Sequence, residues 1–97
     1  MYYVYMLRCS DNSIYTGITT DIERRFSEHM GSLKGAKYTK SRKPVKIETA
    51  FSVASKSDAL KIEIQIKKLT KSNKEKLINS ELDFSSILDL EIKRISV

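Results

Sequence analysis

The N-terminal segment Tyr2–Leu7 constrains the fold more than any other part of this sequence. Its six consecutive residues are all apolar or aromatic, so both faces of an extended chain would carry side chains that avoid water. That pattern is typical of a strand that is covered on both faces. With 97 residues in all, the chain is too short for two independent cores. We therefore expect one small domain, built in layers around a strand of this kind.

The next segments predict a hairpin followed by a helix. A turn cluster, Ser10–Ser13, separates the first strand from the strand-like residues Ile14–Thr16. The segment Thr20–Glu23 has the form of a capping box, in which the Thr20 hydroxyl begins a helix. The apolar spacing that follows predicts that this helix runs to about Met30.

The second half of the chain predicts one further strand and two helices. Residues 45–53 alternate in polarity, as in a half-buried strand. The apolar members of that alternation, expected on one face, are Val45, Ile47, Phe51 and Val53. A helix capped by Ser55 or Ser57 follows, and a capping-box pattern at residues 72–75 begins a third helix. The element order is therefore β-β-α-β-α-α, an α+β layer of three strands packed by helices.

Charge divides the chain into a basic domain, residues 1–80, and an acidic and apolar tail, residues 81–97. The domain carries 16 Lys or Arg residues against eight Asp or Glu residues, and the tail carries two against four. The tail has no decisive hydrophobic period, so we expect it to dock as a short helix or to fray. A protein-interaction module, whose tail engages a partner or a second copy of the chain, stays open as an interpretation.

Composition excludes several classes of protein. Cys9 is the only cysteine, so an internal disulfide cannot form and a reducing, cytoplasmic compartment is expected. One Cys and one His fall short of the four ligands of a structural zinc site. No apolar run is long enough for a membrane span or a signal peptide, and no Gly-rich phosphate loop is present. We therefore expect a cytoplasmic protein with no membrane partner.

Two groups of basic residues indicate a polyanionic partner. Between residues 34 and 46 the chain carries six cations with no acidic residue among them. These are Lys34, Lys37, Lys40, Arg42, Lys43 and Lys46. The second group lies on the last two predicted helices and comprises Lys67, Lys68, Lys71, Lys74 and Lys76. Clusters of this kind attract nucleic-acid backbones, although a solvated loop has the same composition.

Few residues are able to support phosphodiester chemistry. Arg25 and His29 are four residues apart and share a face of the first helix. Glu63 lies beside the apolar stripe of the second helix. The hairpin contributes three phenols, Tyr3, Tyr5 and Tyr15. Each group also has a structural interpretation, such as a surface pair between Arg24 and Glu28 or the packing of a ring, so these residues alone indicate only a basic nucleic-acid-binding domain.

The order and spacing of these residues resemble the GIY-YIG nuclease superfamily. The matching elements, in chain order, are Tyr3-Val4-Tyr5, Tyr15-Thr16-Gly17, Arg25, His29 and Glu63. Residues 35–39, Gly-Ala-Lys-Tyr-Thr, further resemble the small stand-alone bacterial branch of that superfamily. The resemblance covers residues 2 to about 80. It implies a three-stranded antiparallel sheet flanked by helices.

The resemblance also implies a role for each matched side chain. Tyr5 is similar to the tyrosine that acts as general base on the attacking water, and Tyr15 to the tyrosine that positions water or phosphate. Arg25 would bind the scissile phosphate, and Glu63 would be the sole protein ligand of one Mg²⁺ or Mn²⁺ ion. His29 would orient the nucleophile or a tyrosine hydroxyl.

Some positions depart from the family pattern. Tyr3 stands where the family usually has Gly, which alters packing near the site, whereas Gly17 keeps its place and would let the backbone approach closely. The Asn that some relatives use after the metal-binding Glu has no secure match. No separate DNA-binding domain is attached, so the basic groups, or a protein partner that supplies specificity, would have to select the nucleic acid.

The sequence therefore predicts a divalent-metal-dependent endonuclease that hydrolyses DNA, is structure-selective, and acts in repair or nucleic-acid maintenance. The alternative is a non-catalytic DNA- or RNA-binding module of the same fold. Tyr5 and Tyr15 share a face of the hairpin only if the loop between paired residues has an odd length, so we expect a three- or five-residue loop around Asp11–Ser13. Because an isolated phenol has a pKa near 10, a nearby cation must also favour the Tyr5 phenolate.

Overall fold

The strands of the protein form one antiparallel sheet with helices on both faces. The computed structural model describes residues 1–31, 43–81 and 93–95. The elements in chain order are β1 (Tyr2–Cys9), β2 (Ile14–Thr19), α1 (Ile22–Gly31), β3 (Pro44–Val53), α2 (Lys56–Lys67), α3 (Lys71–Ile78) and β4 (Lys93–Ile95). The strand order in the sheet is β2-β1-β3-β4. The predicted α+β class is therefore confirmed.

The described residues form a sheet of four strands, so the expected number of three is wrong. The extra strand, β4, comes from the tail and pairs antiparallel with β3. Arg94 fastens it: the guanidinium donates to the Leu77 carbonyl at 2.6 Å and to Thr49 Oγ1 at 2.7 Å, and it lies 4.9 Å from the centre of the Phe51 ring. Three residues are too few to show a strand period, which is why the sequence predicted a helix or a frayed end here.

The strand β1 is covered on both faces, as its composition predicts. On one face Val4 and Met6 pack with the buried side chains of α2 and α3. These helical residues are Ala59, Ile62, Ile66 and Leu77. On the other face Tyr5 and Leu7 pack with Ile22 and Phe26 of α1. The sheet therefore separates two small cores, and of the helices in the described ranges α1 packs on the second face.

A β-bulge in β3 reverses part of the predicted alternation. Met6 pairs with Thr49 and Leu7 pairs with Ile47, so Glu48 is an extra residue between them. As a result Phe51 packs in the core beneath α2, whereas Ile47 packs in the core beneath α1. The prediction that these two residues share a face is wrong. Phe51 and Ile47 are both apolar and each packs in one of the two cores, so the alternation of residue types along β3 cannot reveal the bulge between them.

In two of the three helices the observed N-cap lies one or two residues away from the predicted N-cap. Ser55 caps α2, as one of the two predicted alternatives, and accepts from the backbone N–H three residues later at 3.2 Å. The cap of α1 is Asp21, which accepts in the same way at 3.1 Å, and not Thr20. The cap of α3 is Thr70, at 3.1 Å, and not Ser72. All of these residue types cap well, so the exact position depends on where the preceding strand or turn ends.

Glu75, which the capping-box pattern placed at the start of α3, has a stronger partner elsewhere. Its Oε1 atom accepts from Arg8 Nη2 at 2.6 Å, and the same guanidinium contacts Glu48 at 2.7 Å. The hydrogen bond with Arg8 holds the pKa of Glu75 below its usual range. Arg8 thereby ties α3 to β1 and to the bulge of β3.

Candidate active site

The β1–β2 hairpin places Tyr5 and Tyr15 on the same face of the sheet, the face that α1 covers. Tyr5 pairs with Gly17, and Leu7 pairs with Tyr15. Residues 9–13 lie between the last paired residues of the two strands, which is an odd number and confirms the expected loop. Within this loop the backbone N–H of Cys9 donates to the Ser13 carbonyl at 2.9 Å, which leaves residues 10–12 as the turn, and Asn12 has the left-handed φ of 69° that three-residue turns use. The centres of the two phenol rings are 6.2 Å apart.

Gly17 provides room for the Tyr5 phenol. A Cβ atom at Gly17 would lie 2.5 Å from Tyr5 Oη, 2.7 Å from its Cζ and 3.1 Å from Tyr15 Cε2. The glycine has no positive φ and lies inside β2, so backbone strain does not explain it. The close approach expected at this position is therefore the approach of a tyrosine ring to the backbone of the neighbouring strand.

The helix α1 brings His29 onto the two tyrosines. His29 Nε2 lies 2.9 Å from Tyr5 Oη, and the bond is buried. Tyr5 is 2% exposed and His29 is 4% exposed. The imidazole also meets the edge of the Tyr15 ring, with 5.1 Å between the ring centres. Of the two roles implied for His29, the structure supports contact with a tyrosine hydroxyl.

Burial keeps both hydrogen-bonded groups neutral. It raises the pKa of Tyr5 to about 12, even though a hydrogen bond from Arg25 lowers it. Burial and, to a smaller extent, the nearby charge of Arg25 lower the pKa of His29 to about 4. A guanidinium can only donate, so the arrangement that satisfies all three groups has the Tyr5 oxygen accepting from Arg25 and donating to His29. The expected phenolate is not the resting state of this site.

Arg25 lies at the edge of the buried pair, next to Tyr5. Its Nη1 atom donates to Glu28 Oε1 at 3.0 Å, and its side chain is 25% exposed. The neighbouring Arg24 is exposed. The surface pair considered from the sequence, between Arg24 and Glu28, is therefore replaced by a pair within the candidate site. The signal for it was present, since residues three apart on a helix are also neighbours.

Glu63 reaches the site from α2. Its side chain is 17% exposed, and its negative charge is close enough to raise the pKa of Tyr5. Oε2 of the carboxylate lies 3.5 Å from Lys67 Nζ, one helical turn further along α2. The structure thus brings Tyr5, Tyr15, Arg25 and His29 together from the hairpin and α1. Glu63, on α2, is linked to them through its charge at Tyr5.

The other motif residues have structural positions. Val4 is fully buried in the core beneath α2. Thr16 is buried on the same face, and its hydroxyl has no hydrogen-bond partner among the described residues. Tyr3 lines an open groove of about 410 Å³ at the start of α1, together with Ile22 and Ile47. The predicted change in packing at Tyr3 therefore falls beside the site and not within it.

Comparison with known proteins identifies the family. The family model described as the GIY-YIG catalytic domain matches residues 1–76. This chain belongs to the GIY-YIG family. The resemblance predicted from five separated motif elements is therefore confirmed.

Similar GIY-YIG relatives are small proteins of about the same length. A UPF0213 protein of Fusobacterium nucleatum is 48% identical, and the match covers 97% of each chain. A UPF0213 protein of Halobacterium salinarum is 47% identical over 79% of this chain and 99% of its own length. The solution NMR structure of a UPF0213 protein from Bacillus halodurans is 44% identical and superposes with a TM-score of 0.53, covering 81% of this chain and 84% of that one. These names state no activity.

The predicted phosphate-binding cations of this GIY-YIG protein have mixed surroundings. Lys43 is exposed just before β3. Lys67 pairs with Glu63, and Lys71 Nζ donates to the carbonyl oxygen of Asn12 at 2.8 Å. The remaining predicted cations, which lie outside the described residues, are Lys34, Lys37, Lys40 and Arg42. Within the described ranges no helix is long and apolar enough to cross a membrane.

The donor set fits one weakly held divalent ion. In the described part of the chain no group of three or more His, Cys, Asp or Glu side chains could hold a metal. Glu63 is the carboxylate predicted to hold the ion, and its charge is close enough to raise the pKa of Tyr5. Mg²⁺ keeps several of its waters and is commonly bound through one or two carboxylates and substrate phosphates. The residues therefore fit a mostly hydrated Mg²⁺ or Mn²⁺ ion and would not fit zinc.

The neutral state of His29 predicts a pH dependence of stability. The ordinary pKa of histidine is about 6.5, so an unfolded chain takes up a proton on acidification that the folded protein, with its pKa of about 4, does not. The free energy of unfolding should therefore fall as the pH is lowered from about 6.5 to about 4. Denaturant unfolding of the wild type and of His29→Gln, which cannot titrate, measures this. The stability advantage of the wild type should shrink over that range, and an advantage that is constant with pH would contradict a buried neutral His29.

Proposed function

We propose that this protein is a divalent-metal-dependent endonuclease that hydrolyses phosphodiester bonds in DNA. The observation that carries the proposal is the buried 2.9 Å contact between Tyr5 and His29, with Arg25 beside it. A merely structural tyrosine has no need of a buried, neutral imidazole and a guanidinium at one hydroxyl. We further propose that the enzyme is selective for nucleic-acid structure and acts in repair or nucleic-acid maintenance in the cytoplasm.

Arg25 is the group that would receive the scissile phosphate. It is partly exposed, so an anion can reach it from solvent, and it lies next to Tyr5, where the attacking water would be activated. A guanidinium binds phosphate with two parallel hydrogen bonds. Its charge would also stabilise the additional negative charge that develops on the phosphoryl oxygens in the transition state.

Tyr5 can act as a base only by passing its own proton on. The phenol oxygen would take a proton from the attacking water while the phenol proton moves to His29 Nε2, 2.9 Å away. The water oxygen then bonds to phosphorus as the bond to the leaving oxygen breaks. His29 is a weak acceptor in the free protein because burial and the Arg25 charge lower its pKa. A phosphate bound to Arg25 compensates that charge and raises the pKa of His29, so the base becomes competent when substrate is present.

Glu63 would hold the divalent ion, with water and phosphate oxygens as the other ligands. When bound, Mg²⁺ or Mn²⁺ supplies positive charge at the phosphate and at the leaving oxygen. Lys67 is the group that balances the Glu63 carboxylate in the free protein. Its ammonium is 3.5 Å away on a flexible, half-exposed side chain, so it can turn to a neighbouring phosphate.

Cleavage of a panel of substrates tests the function and the substrate class. Labelled single-stranded, nicked, flapped and branched DNAs and one RNA are incubated with Mg²⁺ or Mn²⁺, and with a chelator. We expect cleavage of DNA that the chelator abolishes and that Glu63→Gln lowers about 10²-fold or more. Glu81→Gln removes the same charge at an exposed position beyond α3 and should cleave like the wild type.

Three results would contradict the proposal in different ways. Cleavage that survives the chelator would exclude the metal. Cleavage of RNA alone would change the substrate. Salt-sensitive binding of DNA or RNA without any cleavage would make the protein a binding module of the same fold, with the contacts directed to the phosphate backbone.

A further inference from the structure

Glu28 is a carboxylate within the candidate site that has no part in the proposed chemistry. Its Oε1 atom lies 3.0 Å from Arg25 Nη1, and the two residues are three apart on α1. The Arg25 and Glu28 side chains are 25% and 22% exposed, so the pair is open to solvent along one side. On its other side the guanidinium interacts with the Tyr5 hydroxyl. An anion that arrives from solvent therefore meets the Arg25 guanidinium on the side where the Glu28 carboxylate already contacts it.

The ion pair between Arg25 and Glu28 orients the guanidinium, but it is weak enough for a phosphate to replace the carboxylate. Ion pairs three or four residues apart on a helix surface contribute little to stability, because water and salt screen them. The contact in this structure is made by one guanidinium nitrogen and one carboxylate oxygen. A phosphate can engage two nitrogens of the guanidinium at once, in a stronger charge-assisted arrangement.

We propose that Glu28 is the resident counter-ion of Arg25 and that the phosphate of the nucleic acid displaces it. Entry of the substrate is then an exchange of one anion for another at a guanidinium that is already held beside Tyr5. The inference rests on the proposed function and adds Glu28 to the site as a positioning residue. Before the exchange Glu28 limits where the guanidinium can point, and after it the carboxylate turns to solvent.

The exchange also links substrate binding to the proton acceptor. Arg25 disfavours a proton on His29, and Glu28 favours it. In the free protein the charge of Glu28 offsets part of the effect that the larger contribution of Arg25 has on the imidazole. Once a phosphate compensates the charge of Arg25, the guanidinium no longer disfavours a proton on the imidazole. A proton on His29 is then stabilised at the moment when Tyr5 needs to give one up.

Binding of DNA without divalent ions tests the exchange, and Glu23→Gln is the matched control. Glu23 lies exposed in the first turn of the same helix, so Glu23→Gln and Glu28→Gln change the net charge equally and attract DNA equally at long range. At one ionic strength we expect Glu28→Gln to bind a short duplex about 3- to 10-fold more tightly than Glu23→Gln, because no carboxylate has to be displaced. In an Arg25→Ala background the two substitutions should have the same effect.

The kinetic signature separates a counter-ion from a structural residue. Where cleavage is measurable, Glu28→Gln should lower KM, since phosphate no longer competes with a carboxylate. It should not raise kcat, since Arg25 is less well oriented, and Glu28→Asp should restore most of the wild-type KM. If Glu28 only maintained the fold, Glu28→Gln would lower kcat, and Glu28→Asp would not restore the wild-type KM.

The failure of the inference can be distinguished from the failure of the proposed function. Equal affinities of Glu28→Gln and Glu23→Gln for DNA, or weaker binding by Glu28→Gln, would overturn the counter-ion, whether or not the protein cleaves. If the protein never cleaves DNA but shows the expected difference in affinity, the exchange of anions at Arg25 is supported and the proposed nuclease activity is contradicted. Because binding is measured without metal, the two results are independent.

Discussion

Replacement of Arg25 by alanine is expected to lower the rate of DNA cleavage by about 10³-fold or more, a loss of the size seen when a transition-state arginine is removed. The guanidinium is the group placed both within reach of solvent anions and beside the Tyr5 hydroxyl. Single-turnover cleavage, with enzyme in excess over a labelled substrate, reports the chemical step directly. The thermal midpoint should fall only modestly, because the substitution removes a partly exposed ion pair to Glu28 and a hydrogen bond to the Tyr5 hydroxyl, which keeps His29 as its partner.

Arg24→Ala is the matched control for this prediction. Arg24 is the adjacent residue on α1, has the same charge and is exposed. Its loss should weaken binding modestly, in a way that high salt masks, and leave single-turnover cleavage close to the wild-type rate. Arg25→Lys should fall between the two, because it keeps the charge and loses the paired hydrogen bonds. Equal losses for Arg24→Ala and Arg25→Ala would mean that Arg25 contributes only general charge.

The position of the site could be predicted from the sequence because it depends on which hairpin residues share a face of the sheet and on the spacing of residues along α1. An odd loop length was the condition for Tyr5 and Tyr15 to share a face, and the observed register meets it. The spacing of four between Arg25 and His29 places both on the side of α1 that meets the tyrosines. Both relations are local, so neither requires knowledge of how distant parts of the chain pack.

The parts that sequence reasoning missed depend on contacts between distant residues. Glu48 bulges out of β3 and pairs with Arg8, forty residues away in the chain, and no local pattern reports that contact. The strand β4 is recognisable only through its pairing with β3 and the hydrogen bonds of Arg94. The protonation states were missed for the same reason: a cation beside Tyr5 was expected to favour the phenolate, but burial has the larger effect.

Tyr5→Phe is expected to reduce cleavage by about 10²- to 10⁴-fold, the range that general-base catalysis contributes. The substitution removes the hydroxyl and keeps the ring that packs over Gly17. It leaves the buried Nε2 atom of His29 without its 2.9 Å partner, so the free energy of unfolding should also fall by about 1–3 kcal/mol. Tyr3→Phe is the control, since it removes a phenol hydroxyl at a position that lies beside the site and not within it. Cleavage by Tyr5→Phe at the wild-type rate would exclude Tyr5 as the base.

A second variant reaches the same hydroxyl by a steric route. Gly17→Ala keeps every functional group but puts a methyl group 2.5 Å from Tyr5 Oη, where the ring has to move away from His29. We expect a loss of cleavage comparable to that of Tyr5→Phe, with about 1–3 kcal/mol of overpacking cost in stability. In a Tyr5→Leu background, which removes the end of the ring, Gly17→Ala should cost almost no stability. If the stability costs of Tyr5→Leu and Gly17→Ala simply add in the double variant, Gly17 does not act by making room for Tyr5. Substitutions of residues in contact are expected to deviate from additivity.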